Sequence, residues 1–251
     1  MLFYIIMKTS GLVVAIVALG AIGCILNKIK NNNLEIFNYD GSSTDFPTVP
    51  FHMIIANSVM SIPDREFYNC DSLTRIDIPD SVTRIGKEAF YGCISLKSIK
   101  IPNSVTSIGK GTFYSCTALK TVILSESITS IGDGAFSGCG LETIKIPNSV
   151  TSIGEAAFQY CASLTTIEIP NKVTIISDDT FLYCISLKSV KLSDSVETIG
   201  KLAFINCISL TTINIPDSVK TIDDYAFKGC IVLGDIDISQ VRNQGKEIFS
   251  V

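Results

Sequence analysis

From about Phe51 to Ile238 the apolar positions of the chain return in one fixed order, and the stretch from Ser81 to Ile101, SVTRIGKEAFYGCISLKSIKI, shows a complete unit. The most regular markers are Phe67, Phe90, Phe113, Phe136, Phe158, Phe181, Phe204 and Phe227, each followed three residues later by a cysteine, from Cys70 to Cys230. Successive phenylalanines are 23 residues apart, with one step of 22. A fixed period in this range marks a protein of stacked coils, in which each repeat covers the apolar face of the next.

Within the unit, L-x-x-I-x-I (Leu96, Ile99, Ile101; Leu164, Ile167, Ile169) ends in a period-two alternation, which predicts a short strand with its aliphatic side inward. Proline stops it at Pro79, Pro102, Pro147, Pro170 and Pro216, followed by Asp or Asn, a turn chemistry in which Pro sets φ and the Asx side chain bonds its own backbone. V-x-x-I-G follows, as in Val105, Ile108 and Gly109, where the glycine is read as allowing a second bend. A-F-x-x-C, with Ala89, Phe90 and Cys93, is read as one helical turn. The expectation is an α/β solenoid of about eight coils over residues 51–238, with a parallel sheet on one face and short helical turns. The short step falls at Cys139-Gly140-Leu141. Residues 239–251 read as a partial ninth repeat, since Gly245-Lys246-Glu247-Ile248-Phe249 echoes Gly86-Lys87-Glu88-Ala89-Phe90. It is either a C-terminal cap or a half-coil whose open apolar end permits end-to-end self-association.

The remaining chain has a different character. Residues 1–26 form a hydrophobic segment whose core, Gly11 to Leu26, carries no charge, so it reads as a signal or a membrane anchor through residues 11–26. Lys8 lies before it and Lys28 and Lys30 after it, which leaves the orientation open. Gly23-Cys24 partly resembles a lipoprotein processing site, but Ala21 stands where leucine is usual and Ile25-Leu26 follow where a polar residue is usual. Residues 27–50 read as a polar spacer whose end, with Leu34, Ile36 and Tyr39, caps the first coil.

Composition narrows the function. The net charge of −4 gives no basic footprint for nucleic acid. Eight of the nine cysteines occupy one phase of the repeat and none forms a C-x-x-C pair, so they are read as a reduced core column and not as a zinc site. Bridges between adjacent coils are the geometric alternative, because the coil spacing falls within the reach of a disulfide.

The motif I-P-N-S-V-T-S-I-G-x-x-x-F-x-x-C-x-x-L-x-x-I, present from Ile101 to Val122 and again from Ile146 to Ile167, resembles the 23-residue leucine-rich repeat of BspA-like surface antigens of bacteria and parasitic protists. The resemblance implies a curved leucine-rich repeat solenoid, displayed at a cell surface, that adheres to host matrix proteins or to other cells. It brings no catalytic residue and no cofactor.

On the strands, the positions between the core aliphatics form an outward face. One column is Asp77, Lys100, Ile123, Lys145, Glu168, Lys191, Asn214 and Asp237, and its neighbour is Arg75, Ser98, Thr121, Thr143, Thr166, Ser189, Thr212 and Asp235. With Lys97, Lys120 and Lys188 at its edge, the middle of the face is rich in lysine and hydroxyls. The candidate ligand-binding residues are therefore Lys97, Lys100, Lys120, Thr121, Thr143, Lys145, Thr166, Lys188 and Lys191, suited to a protein segment or an acidic glycan. Tyr68, Tyr91, Tyr114, Tyr160 and Tyr183 read as shields of the outer core.

Nothing in the chain points to catalysis. His52, the single histidine, has no nucleophile in matching context. Asp178-Asp179 and Asp223-Asp224 read as caps of the helical turns, and Lys87, Lys110 and Lys201 at the equivalent positions argue against a repeated calcium site. Two functions fit: a surface adhesion or recognition module, or a scaffold tethered to the cytoplasmic side of a membrane, which the unpaired thiols favour.

Overall fold

The structure is a computed structural model that describes residues 3–9, 12–18, 25–31, 34–41, 46–234 and 237–249. Cys24 and Asp235 lie outside these residues, as do parts of the apolar run 11–26. Four strands open the chain: β1 (Phe3–Thr9), β2 (Leu12–Ala18), β3 (Ile25–Asn31) and β4 (Leu34–Tyr39). They pair antiparallel in order, and β4 then runs parallel to β5 (Phe51–Ile55), the first strand of the repeat region. No helix among the described residues is long and apolar enough to cross a membrane.

Of the residues expected to cap the first coil Tyr39 is buried, and Phe37 joins it from the same side of β4. Phe37 and Tyr39 point inward, packing edge-on against Phe51 and Phe67 at 5.4 and 5.5 Å between ring centres, while Ile36 is only half-buried.

Numbering the coils by their phenylalanines, Phe67 to Phe227, coils 1 to 3 and 5 to 7 each contain two short strands and a run of turns, whereas coils 4 and 8 keep only the first strand among the described residues. Coil 2, for example, uses Arg84–Ile85, then the turns at 87–92, then Ser98–Lys100. Strands of one type pair parallel in register from coil to coil, so that Thr121 meets Ser98 and Thr198 meets Thr221. The expected aliphatic columns are all interior: Val82, Ile85, Ala89, Phe90, Cys93, Leu96 and Ile99 are at most 4% exposed. The phenylalanine rings form one stack, 5.1–5.6 Å between centres and within 14° of parallel, that runs from Phe67 to Phe249. Offset stacks at this spacing combine apolar burial with a favourable quadrupole alignment.

The expected helical turn is absent, and the fold is a β-solenoid without helices among the described residues. In coil 2 the amides of Ala89, Tyr91 and Cys93 bond locally, to the carbonyls of Gly86, Glu88 and Phe90. The intervening amides of Glu88, Phe90 and Gly92 reach the next coil, to Lys110, Thr112 and Tyr114, at 2.8–2.9 Å. A helix directs every amide along one axis, whereas this segment must turn every second one outward to its neighbour. The reversals come from residues in the left-handed region, Glu88 (φ 53°) and Gly92 (φ 70°), and the same two positions recur as Arg65/Asn69, Gly134/Gly138 and Tyr225/Gly229. Such a conformation costs a side-chain-bearing residue about 1–2 kcal/mol, which the ladder bonds between coils offset.

The I-G glycine also has a different cause. None of Gly86, Gly109, Gly132, Gly154 or Gly200 has a positive φ; instead a Cβ on Gly132 would sit 2.8 Å from the Lys110 amide nitrogen, and one on Gly86 2.4 Å from that of Asp64. The backbone of the preceding coil leaves no room at Gly86, Gly132, Gly154 and Gly200, whereas at Gly109 the nearest atom is 3.4 Å away. The acidic residues at the following position bond that same junction. Asp64, Asp178 and Asp224 accept the backbone N–H of Lys87, Lys201 and Lys246 in the next coil, at 2.7–3.0 Å, so they cap neighbouring coils and not helices.

Ser and Thr of the S-V-T motif play a related part. The hydroxyls of Ser81 and Ser218 donate to the Val59 and Val196 carbonyls one coil back, and that of Thr129 donates to Thr106. The eight repeat cysteines are free. From Cys93 onward each Sγ donates to the phenylalanine carbonyl of the coil before, at 3.0–3.2 Å, so the column is hydrogen-bonded as well as packed.

Candidate functional site

The outward face of the Ser98–Lys100 type of strand is the candidate site, and the structure divides it in two. Ser98–Lys100 pairs with Thr121–Ile123, and Thr166–Glu168 pairs with Ser189–Lys191 and then with Thr212–Ile213. Between these groups, residues 143–146 of coil 4 keep only a bridge from Thr143 to Thr166 and no ladder pairing back to coil 3 among the described residues. The break coincides with the missing residue at Cys139-Gly140-Leu141. There the Gly140 backbone closes on coil 3 so tightly that a Cβ would stand 2.2 Å from the Thr117 carbonyl oxygen.

A groove of about 870 Å³ follows the break, spanning the strands of coils 4 to 7, with Thr143, Lys145, Thr166, Glu168, Ser189 and Lys191 on its surface. A smaller one of about 290 Å³ precedes it and contains Arg75, Ser98, Lys100, Thr121 and the half-exposed Ile123. Of the nine residues expected to bind ligand, six therefore line one groove or the other, and Lys97, Lys120 and Lys188 stand at the edge.

The charge differs from a simple basic patch. Lys120 donates to Glu142 at 2.8 Å, Lys145 to Glu126 at 3.3 Å, and Lys191 pairs with Glu168. These pairs are exposed, and each contributes little to stability, on the order of 0–1 kcal/mol. They matter for what the face offers, since each lysine arrives with a carboxylate; the Glu142 contact holds the Lys120 ammonium above its ordinary pKa. Lys97, Lys100 and Lys188 have no ion pair among the described residues.

A further cluster closes the N-terminal end of the face. His52 is buried on β5, its Nε2 lies 2.9 Å from Asp77 Oδ2, and Arg75 Nη2 lies 3.1 Å from Asp77 Oδ1. The repeat period places His52 beside Arg75 and Ile54 beside Asp77, so this cluster could have been found by extending the columns one coil toward the N-terminus.

Among the described residues no cluster of His, Cys, Asp or Glu is placed to hold a metal ion. Asp179 is pushed above the usual carboxylate range by burial and then by Asp178 and Glu155, and Asp223 by burial and by Asp178 and Asp224.

Parallel strands in register, a continuous aliphatic and phenylalanine interior and an exposed strand face define a leucine-rich repeat solenoid. The BspA-type leucine-rich repeat model matches residues 50–165 and 151–251, in six copies, and the chain belongs to that family. Solved structures with the same fold include the leucine-rich repeat protein TpLRR of T. pallidum, 26% identical over 80% of this chain and 84% of that one, with a TM-score of 0.60. A leucine-rich repeat protein from Bacteroides ovatus is 24% identical over 99% and 90%, with a TM-score of 0.56. The pneumococcal vaccine antigen PcpA is 19% identical over 97% and 78%, with a TM-score of 0.53. Among curated proteins no match is found.

Proposed function

We propose that the chain is a non-enzymatic recognition protein of the cell surface that binds an extended protein or glycan ligand along its strand face. The groove over coils 4 to 7 carries this reading: it offers hydroxyls from Thr143, Thr166 and Ser189 beside Lys145 and Lys191 on a rigid scaffold. Membership of the BspA-type family supports the surface location, and the apolar run 11–26 supplies the attachment or export segment. Where the ligand is acidic, Lys97, Lys100 and Lys188 are the contacts of choice, because the other lysines must first give up a glutamate. Replacing Lys97, Lys100, Lys120 and Lys145 together by serine is expected to weaken binding to cells or matrix; unchanged binding removes the basic component of the reading.

A second reading, a membrane-tethered intracellular scaffold using the same face, is favoured by the eight unbridged thiols. Protease shaving and antibody labelling of intact cells separate the two. Digestion and labelling are expected for a surface protein, and protection on both counts supports the scaffold.

A further inference from the structure

The turn side of the solenoid carries a second arrangement that the strand face does not explain. One column there holds the first left-handed residue of each coil: Arg65, Glu88, Gly111, Gly134 and onward. Three residues later a second column holds Tyr68, Tyr91 and Tyr114, whose rings stack 4.6 and 4.8 Å apart.

At coil 1 the two columns meet in a three-part contact. The Arg65 guanidinium lies over the Tyr68 ring, 5.4 Å from its centre, and its Nε donates to the Glu88 carboxylate at 2.6 Å. At coil 8 the same columns repeat the contact with the roles exchanged. There Lys228 Nζ is 5.2 Å from the centre of the Tyr225 ring and 3.3 Å from Glu247 Oε2.

In coils 3 and 4 the first column is glycine, and no side chain from it covers the face of Tyr114 turned away from Tyr91, where a Cβ on Gly134 would stand 3.6 Å from Tyr114 Cδ2. What remains is a depression of about 340 Å³, lined by Gly111 and Gly134, by Tyr91 and Tyr114, and by the carboxylates of Asp133 and Glu155. Lys110 also lines it but lies toward Asp133, at 3.9 Å, and Glu88 is already held by Arg65. Among the described residues no cation lies over Tyr91 or Tyr114. One face of Tyr114 and the Glu155 carboxylate are present, then, without the ring-covering cation that accompanies such a pair at both ends.

We propose that this depression takes the guanidinium of an arginine from a partner protein, completing in the middle of the solenoid the cation–tyrosine–carboxylate contact that the chain makes with itself at coils 1 and 8. A guanidinium suits the site better than an ammonium, because it is planar, weakly hydrated and able to lie on an aromatic face while its edge donates to a carboxylate. The glycine floor admits a flat group that a Cβ would obstruct. The proposal uses a different surface from the strand face, so either stands if the other fails.

The test is a titration of the full chain, carrying isotope-labelled tyrosine, with N-acetylarginine amide and with the uncharged N-acetylcitrulline amide as its isostere. The Tyr91 and Tyr114 ring resonances are expected to shift saturably with the arginine compound, with an affinity roughly 5–10-fold above that for the citrulline compound, the scale of a cation–π contact. Gly111→Arg, which copies Arg65, is expected to fill the depression from within and abolish the response. Gly111 sits at φ 59° and a Cβ there would lie 3.1 Å from Glu88 Cγ, so Tyr114→Leu, at a half-buried position, provides a second variant. It is expected to weaken the response roughly 5–10-fold at an unaltered unfolding midpoint. No shift, an equal response to the citrulline compound, or an undiminished response in Tyr114→Leu overturns the proposal.

Discussion

At coil 4 the chain is one residue short, and the two sides of the solenoid accommodate the loss differently. On the turn side the ladder passes through without interruption: Gly134, Phe136 and Gly138 donate to Glu155, Ala157 and Gln159 at 2.7–2.8 Å, and the phenylalanine stack continues from Phe136 to Phe158 at 5.5 Å. On the strand side the ladder stops. The Lys120 amide donates to the Lys97 carbonyl and the Thr165 amide to that of Glu142, but no backbone bond from the Glu142 amide to the Lys120 carbonyl is present among the described residues. The turn side is the mechanical spine, built from buried rings, thiols and backbone bonds that tolerate no gap. The strand face is carried on it, and a gap there costs only exposed ladder bonds while it divides that face into two grooves.

Several substitutions and conditions sharpen this contrast, the largest effect being expected at alkaline pH. Burial pushes the thiols of Cys70, Cys161 and Cys230 up to about 12. The folded state therefore keeps these protons after an unfolded chain has released them. Their contribution is whole below the unfolded thiol range, near about 8.5, and is lost as pH rises from there through about 12. Circular dichroism against pH is expected to show cooperative unfolding in that window, with no thiol reacting with an aromatic disulfide reagent before it.

Next in size is Phe136→Ala, expected to cost about 3–5 kcal/mol in denaturant unfolding, since it removes a ring from the middle of the stack. Ile123→Ala on the strand face, at a position 54% exposed, is expected to cost less than about 0.5 kcal/mol. Two glycines of one column divide in the same way. Gly132→Ala forces a Cβ against the coil 3 backbone and is expected to cost about 1–3 kcal/mol. Gly109→Ala, whose nearest contact is 3.4 Å away, is expected to be neutral or slightly stabilising. A small effect of opposite sign is expected at Ser193, which stands where other coils have proline and whose buried hydroxyl has no partner among the described residues. The Val196 amide already bonds its carbonyl at 3.1 Å, as in the proline turns, so Ser193→Pro is expected to add about 0.4–1 kcal/mol.

The period, the core columns and the L-x-x-I-x-I strand were legible in the sequence, because burial in a stacked coil leaves the same residue type at the same phase, whereas V-x-x-I-G, read as a bend, carries a second short strand. The non-helical turn was less so, since A-F-x-x-C places its apolar residues on one side in either conformation. Gly92, Gly138 and Gly229, aligned with Asn69 and Asn206, did mark a left-handed position. Tyr160, Tyr183 and Leu202 share that backbone without any local hint, held there by bonds to the next coil. At the candidate site the columns were readable and their charge was not. Lys120 and Glu142 meet because 22 residues separate them along the chain, a pairing visible only when adjacent coils are compared residue by residue.

The division between spine and face is tested most directly by amide hydrogen exchange resolved to single residues. The amides of Phe113, Phe136 and Phe158 are expected to exchange together and only through global unfolding, while the Glu142 amide exchanges orders of magnitude faster than Lys120 and Thr165 at the same position in the neighbouring coils. Fast exchange at Phe136, or protection of Glu142 equal to that of Lys120 and Thr165, contradicts the account.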